Sequence, residues 1–124
     1  MKSYQFAFEK LEVWQMARKL TGAVYQITAC FPPEERFVLV SQMRRSAISV
    51  CSNIAEGSSR KTGKDQAHFT TQAYSSLMEL LNQQIISCDL GYLKAEEQQS
   101  FREKSQVLSV KLTNLRDSQL RRNS

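Results

Sequence analysis

The stretch LEVWQMARKLTGAVYQITACFPP, residues 11–33, decides the fold class. Within it Leu11, Trp14, Ala17, Leu20, Val24 and Ile27 recur at steps of three and four residues. That spacing gathers apolar side chains on one face of an α-helix, whereas a strand would scatter them over both of its faces. Phe31-Pro32-Pro33 ends the run, because proline offers no amide hydrogen and drives its predecessor out of the helical region. Upstream, Tyr4, Phe6 and Phe8 alternate at period two, which predicts an extended arm over residues 1–9 with one packed face.

Downstream the same rhythm returns three times. A second helix is expected from Pro33, with Glu34 and Glu35 complementing the positive end of its dipole. Its apolar face is Phe37, Val40, Met43, Ala47, Val50 and Ile54, and Gly57 is expected to close it in the left-handed conformation. After a polar connector, Thr62 and Asp65 have the spacing of a capping box. The third helix presents Phe69, Ala73, Leu77, Leu80, Leu81, Ile85 and Cys88, and stops at Leu90-Gly91. The fourth starts weakly at Lys94, carries Phe101, Leu108, Leu112 and Leu115, and frays into a basic tail over residues 117–124. Long helices joined by short links pack as antiparallel neighbours, so residues 1–124 are expected to form a single all-α domain, an up-down-up-down antiparallel four-helix bundle.

Composition narrows the function classes. The 124 residues include only four Gly and two Pro, too few turn-formers for a many-stranded fold. No stretch approaches the roughly 20 apolar residues that cross a bilayer, and the N-terminus lacks the apolar core of a secretory signal, so a cytoplasmic protein with no membrane partner is expected. Cys30, Cys51 and Cys88 are odd in number and far apart, which fits neither a disulfide framework nor a zinc site. His68 is the only histidine, no glycine-rich phosphate loop is present, and the acidic pairs Glu34-Glu35 and Glu96-Glu97 sit near predicted helix starts. No catalytic residue, metal or cofactor is therefore expected, and the chain reads as a non-enzyme.

Two patterns ask for a role. Gln42, Arg45, Ser49, Asn53 and Glu56 on the second helix, and Gln72, Ser76, Glu79 and Gln83 on the third, form polar stripes rich in small and amide side chains. Such rows suit close helix contacts, within the bundle or between protomers, although an ordinary exposed face would also produce them. Asn53, Glu56 and Glu79 are the candidate interface residues, and Glu79 is expected to pair with Arg44 or Arg45. Charge is the second pattern. Lys and Arg number 17 against 12 Asp and Glu, a net +5, yet residues 64–93 hold one basic and three acidic side chains. The excess concentrates in Arg44-Arg45, Arg60-Lys61 and Arg116, Arg121 and Arg122, a set that could hold a phosphate backbone without reading sequence. Terminal arginines serving the negative ends of helices would look the same.

Several segments together resemble a known family. They are Leu11-Glu12-Val13-Trp14-Gln15-Met16-Ala17, Val24-Tyr25, Phe31-Pro32, Gln42-Met43-Arg44-Arg45-Ser46-Ala47, Asn53-Ile54-Ala55-Glu56-Gly57 and Leu90-Gly91-Tyr92-Leu93. Their order and spacing are similar to those of the bacterial four-helix-bundle proteins, also called 23S rRNA-intervening sequence proteins, over about residues 8–93. Ser46 stands where the family often has Ala. The resemblance implies a left-handed up-down bundle assembled as a homopentamer with a central channel and a basic surface. It also implies relatives that act as accessory proteins of reverse transcriptases in diversity-generating retroelements, binding the polymerase and its RNA. No catalytic activity is implied; Arg44, Arg45, Asn53, Glu56 and Gly57 match the motif positions. The expectation is an oligomeric accessory protein that binds RNA or DNA, the alternative a protein-protein scaffold that does not.

Overall fold

The structure is a computed structural model that describes residues 3–122. Met1-Lys2 of the expected arm and Asn123-Ser124 of the expected tail lie outside the described residues. Four helices carry the fold: α1 (Glu12–Thr28), α2 (Ser41–Ser58), α3 (Gly63–Asp89) and α4 (Ala95–Leu120). Cross-helix contacts fix the direction of each neighbour. Thr21 hydrogen-bonds the Ala47 carbonyl while Thr28 receives Arg44, so α1 and α2 run oppositely. Ser46 meets Glu79 and Ser49 meets Ser76 across α2 and α3. Gln66 meets Arg122 and Thr70 meets Gln119 across α3 and α4, and Lys111 pairs with Glu12 to bring α4 back to α1. The buried rows, among them Leu20, Val24, Met43, Val50, Leu77, Leu80, Leu108 and Leu112, converge on one core.

Local chemistry sets the ends. Thr62 Oγ1 accepts the Asp65 amide at 3.1 Å, capping α3. At the other end Gly91 adopts φ +82, with Tyr92 N–H bonded to the Ser87 carbonyl and Gly91 N–H to Cys88, the paired pattern that a left-handed residue permits. Glu97 turns back onto the Lys94 amide at 2.9 Å, giving α4 a start that the lysine itself cannot supply.

Several expectations are corrected. Ala7–Lys10 form one 3-10 turn instead of continuing an extended arm, and Tyr4 and Phe6 stand 79% and 58% exposed. The basic tail does not fray from residue 117, because α4 continues to Leu120. The second helix does not run regularly from Pro33. Pro33–Glu35 make a 3-10 turn and Arg36–Val40 a π-helical turn before α2 begins. The wider winding of that turn puts Phe37 out of phase with Val40 and Met43, so Phe37 is 83% exposed rather than on the apolar face. Gly57 does not close α2 either; it lies within the helix, facing α3. A Cβ there would stand 3.0 Å from the Cβ of Phe69 and 3.3 Å from the Gln66 carbonyl, so glycine is needed for close helix approach. Trp14 is half-buried at the rim of the core, with Phe8 edge-on against it.

The upper part of α3 departs most from its expected apolar face. Leu81, Ile85 and Cys88 are only partly buried, while Gln83, Gln84 and Ser87 point inward. The antiparallel register set by Thr70 and Gln119 carries Gln84 to the level of Ser105 on α4. Among the described residues neither the Gln84 amide nor the Ser105 hydroxyl finds a partner, and the same holds for the Gln98 amide. A buried polar group left unpaired costs about 1–3 kcal/mol, and in this part of the α3/α4 seam polar side chains replace the apolar packing expected from the sequence.

Candidate nucleic-acid interface

The folding of the chain sorts the seven candidate basic residues into separate places. Arg60 and Lys61 end the α2 side of one connector, and Arg121 and Arg122 follow the last turn of α4. The bundle brings these two segments to the same end. Arg122 donates to Gln66 Oε1 at 2.6 Å, and Gln66 in turn donates from Nε2 to the Arg60 carbonyl at 3.0 Å. The approach is tight because Gly63 packs on α4: a Cβ there would overlap the Gln119 carbonyl oxygen and reach the Cβ of Arg122. Lys61, Lys64 and Arg121 are all exposed at this end.

The acids nearby are partly engaged. Glu56 reaches Arg60 along the helix at 3.4 Å, and the Arg60 guanidinium lies 4.6 Å over the Phe69 ring. Both partners of that ion pair are exposed, so it holds the guanidinium only weakly. The amino end of α3 also opens here, its positive dipole offset by Asp65 and by the Thr62 cap on the Asp65 amide. Lys64 and the Gln66 link were not among the sequence candidates. The spacing of Lys61 and Lys64 hinted at the first, but nothing local marks Gln66.

The other three basic residues are elsewhere. Arg44 is built into the fold: its Nε donates to Thr28 Oγ1 at 3.0 Å, and its guanidinium sits 4.4 Å over Tyr25 near the last turn of α1. Arg45 is exposed one position further on and has no bonded partner among the described residues. Arg116 lies on the flank of α4, 3.5 Å from Asp117, with its Nε buried. The expected pairing of Glu79 with Arg44 or Arg45 does not form. Glu79 accepts a hydrogen bond from Ser46 at 3.3 Å instead, because Arg44 faces α1.

The polar stripes meet only at half-buried Ser49 and Ser76 between α2 and α3, while Gln42, Arg45, Glu56, Gln72 and Glu79 are exposed. Ser49 and Ser76 share a hydrogen bond of 2.8 Å, and Asn53 donates to both the carbonyl and hydroxyl of Ser49. Thr21 hydrogen-bonds the Ala47 carbonyl of α2, and the Tyr25 ring packs against the Arg44 guanidinium.

Little reactive chemistry surrounds these groups. Burial pushes the Cys51 thiol above its ordinary pKa, against the smaller opposing effect of the Thr21 hydroxyl, so it stays protonated at neutral pH. His68 is exposed beside Phe69. No cluster of three metal-ligating side chains occurs among the described residues, and none of their helices is long and apolar enough to cross a membrane.

A second surface feature lies between α1 and α4. It is an apolar cleft of about 420 Å³ floored by Leu20 and Leu108, walled by Met16, Ala23 and Val107, and rimmed by Lys19, Lys104 and Glu103.

The fold has a relative of known structure. It is similar to the crystal structure of a protein of unknown function from the S23 ribosomal protein family of Bacteroides thetaiotaomicron VPI-5482, with a TM-score of 0.74. That alignment covers 83% of this chain and 96% of the other at 18% identity, a likeness of fold alone. No curated protein matches the sequence. The family model described as 23S rRNA-intervening sequence protein matches residues 9–114, from the turn before α1 to the last third of α4. The chain belongs to the 23S rRNA-intervening sequence protein family.

Proposed function

We propose that this protein is a non-enzymatic, oligomeric accessory protein that holds the backbone of RNA or DNA in a ribonucleoprotein or reverse-transcriptase setting. The observation that carries the reading is the convergence of Arg60, Lys61, Arg121 and Arg122 at one end of the bundle through the Gln66 link, with Lys64 beside them. Cations drawn from two distant segments into one patch attract phosphate more strongly than the same charges spread over the surface. The family description, which ties its members to ribosomal RNA insertions, favours RNA as the first nucleic acid to test.

Assembly belongs to the same proposal. Phe37 and Val38 project at the opposite end, and the α1/α4 cleft leaves Val107 44% exposed. Exposed apolar surface of this kind suits contacts between copies, in a homopentamer or another closed ring. A lone 14.2 kDa species in light scattering would remove assembly from the account.

The test is a binding titration against RNA and DNA over a range of salt. A patch that neutralises about four phosphates gives a log-log salt slope of roughly −3 to −4, with little sequence preference. Absence of binding to either nucleic acid at low salt would overturn the proposal. The scaffold reading, a protein-protein module with no nucleic acid, would then stand. It draws on one specific observation: Arg60 and Arg122 already have partners within the chain, near the negative ends of α2 and α4.

A further inference from the structure

The N-terminal aromatic residues form a ladder of rings. Tyr4 and Phe6 meet edge-on with centroids 5.1 Å apart, Phe6 and Phe8 stack at 6.3 Å, and Phe8 meets Trp14 at 5.0 Å. The Arg18 guanidinium lies 5.4 Å from the centre of the Trp14 ring. The lower two rings are half-buried and root the ladder against α1, whereas Tyr4 and Phe6 are largely in solvent.

The segment does not hang loose. Phe6 N–H donates to Glu9 Oε1 at 2.9 Å, and Gln15 Nε2 donates to the Glu9 carbonyl, which ties the turn to α1. Two large aromatic rings left 79% and 58% exposed among the described residues lose much of the burial that normally stabilises such residues.

Their position gives them a partner. Ala7, directly after Phe6, lines the same shallow depression as Gln66, Gln119 and Arg122, so the ladder starts beside the basic end of the bundle. Lys10, with Glu9, lines the same shallow depression as Tyr4. Exposed rings next to converging cations match what an unpaired nucleic-acid strand offers, phosphates for the cations and free base faces for the rings. A duplex keeps its bases stacked on one another and offers the rings nothing.

We infer that the protein takes single-stranded nucleic acid in preference to duplex, with bases stacking on Tyr4 and Phe6 while the backbone lies across Arg60, Lys61, Arg121 and Arg122. The inference rests on the proposed backbone binding and adds the class of strand.

The experiment compares three probes on the whole protein: a short single-stranded RNA, the same sequence as a duplex, and an abasic strand of equal length that keeps the phosphates. Wild type is expected to bind the single strand at least tenfold more tightly than the abasic strand or the duplex. Tyr4→Ser with Phe6→Ser should bring all three probes to similar affinity with an unchanged salt slope, and Tyr4→Trp with Phe6→Trp should restore the preference. Equal binding of base-bearing and abasic strands by wild type would overturn the inference while leaving backbone binding intact. So would a double Ser variant that keeps the preference, or one that changes only the size of the assembly. If wild type binds no probe at all, the proposed function falls with it.

Discussion

The two ends of the bundle are built from different chemistry. At one end, glycines at positions 57 and 63 let helices touch backbone to backbone, and the Gln66 link draws Arg60 and Arg122 together. At the other, Arg44 is consumed by Thr28 and Tyr25, Tyr92 reaches Glu35 across the connector, and the π-helical turn leaves Phe37 in water. Charge alone does not make a binding surface. The Arg44-Arg45 pair looks as basic in sequence as Arg60-Lys61, yet Arg44 is spent within the fold, whereas Arg122 from a distant segment joins the second pair.

The contrast can be broken hardest at Gly57. Gly57→Leu would drive a side chain into Phe69 and the Gln66 carbonyl, prising α3 from α2 beneath the basic end. Overpacking of this kind should cost about 3 kcal/mol in chemical denaturation and weaken nucleic-acid binding with it. Arg44→Ala should cost about 1–2 kcal/mol, because it removes a hydrogen bond to the buried Thr28 hydroxyl and the stacking on Tyr25, while RNA affinity stays within about twofold. Glu79→Gln should shift stability by less than about 0.5 kcal/mol, since its one hydrogen bond among the described residues is the long one from Ser46; a large shift or a change in assembly size would show that Glu79 has a partner in another copy.

The smallest effect is expected at Tyr92. Its hydroxyl donates to Glu35 at 3.0 Å, and that hydrogen bond, with a lesser contribution from desolvation, raises the phenol pKa above 10.0. The raised value means the neutral form is favoured in the folded state. Its contribution is therefore complete below pH 10 and is lost as pH climbs through the raised value. Tyr92→Phe should make the thermal midpoint slightly lower at neutral pH and flatter above pH 10; parallel curves for the two proteins would contradict the contact.

The helices are legible in the sequence because apolar periodicity is a local signal: Ala17, Leu20 and Val24 of the α1 row are buried as the spacing demands, whereas Leu11, Trp14 and Ile27 are partly buried and Val13, outside the row, points into the core. What could not be read was phase and pairing. Nothing local announces a π-helical turn at Arg36–Val40, and spacing alone puts Phe37 on the apolar face. The inward-facing Gln84 and Ser105 were hidden for a similar reason, since Leu81 and Ile85 beside them suggest a better apolar face. At the candidate interface the residue types were visible, but the geometry was not. Which arginines share a surface depends on contacts 56 residues apart, as between Gln66 and Arg122.

The most direct test of the account compares two charge-neutralised variants in the same salt titration with single-stranded RNA. One replaces Arg60, Lys61, Arg121 and Arg122 with Ala, and the other replaces Arg36 and Arg45 at the far end. Loss of about three to four phosphate contacts should flatten the salt slope by roughly three units in the first variant and by less than one in the second. Equal slopes for the two variants, or a flatter one for the Arg36 and Arg45 variant, would contradict it.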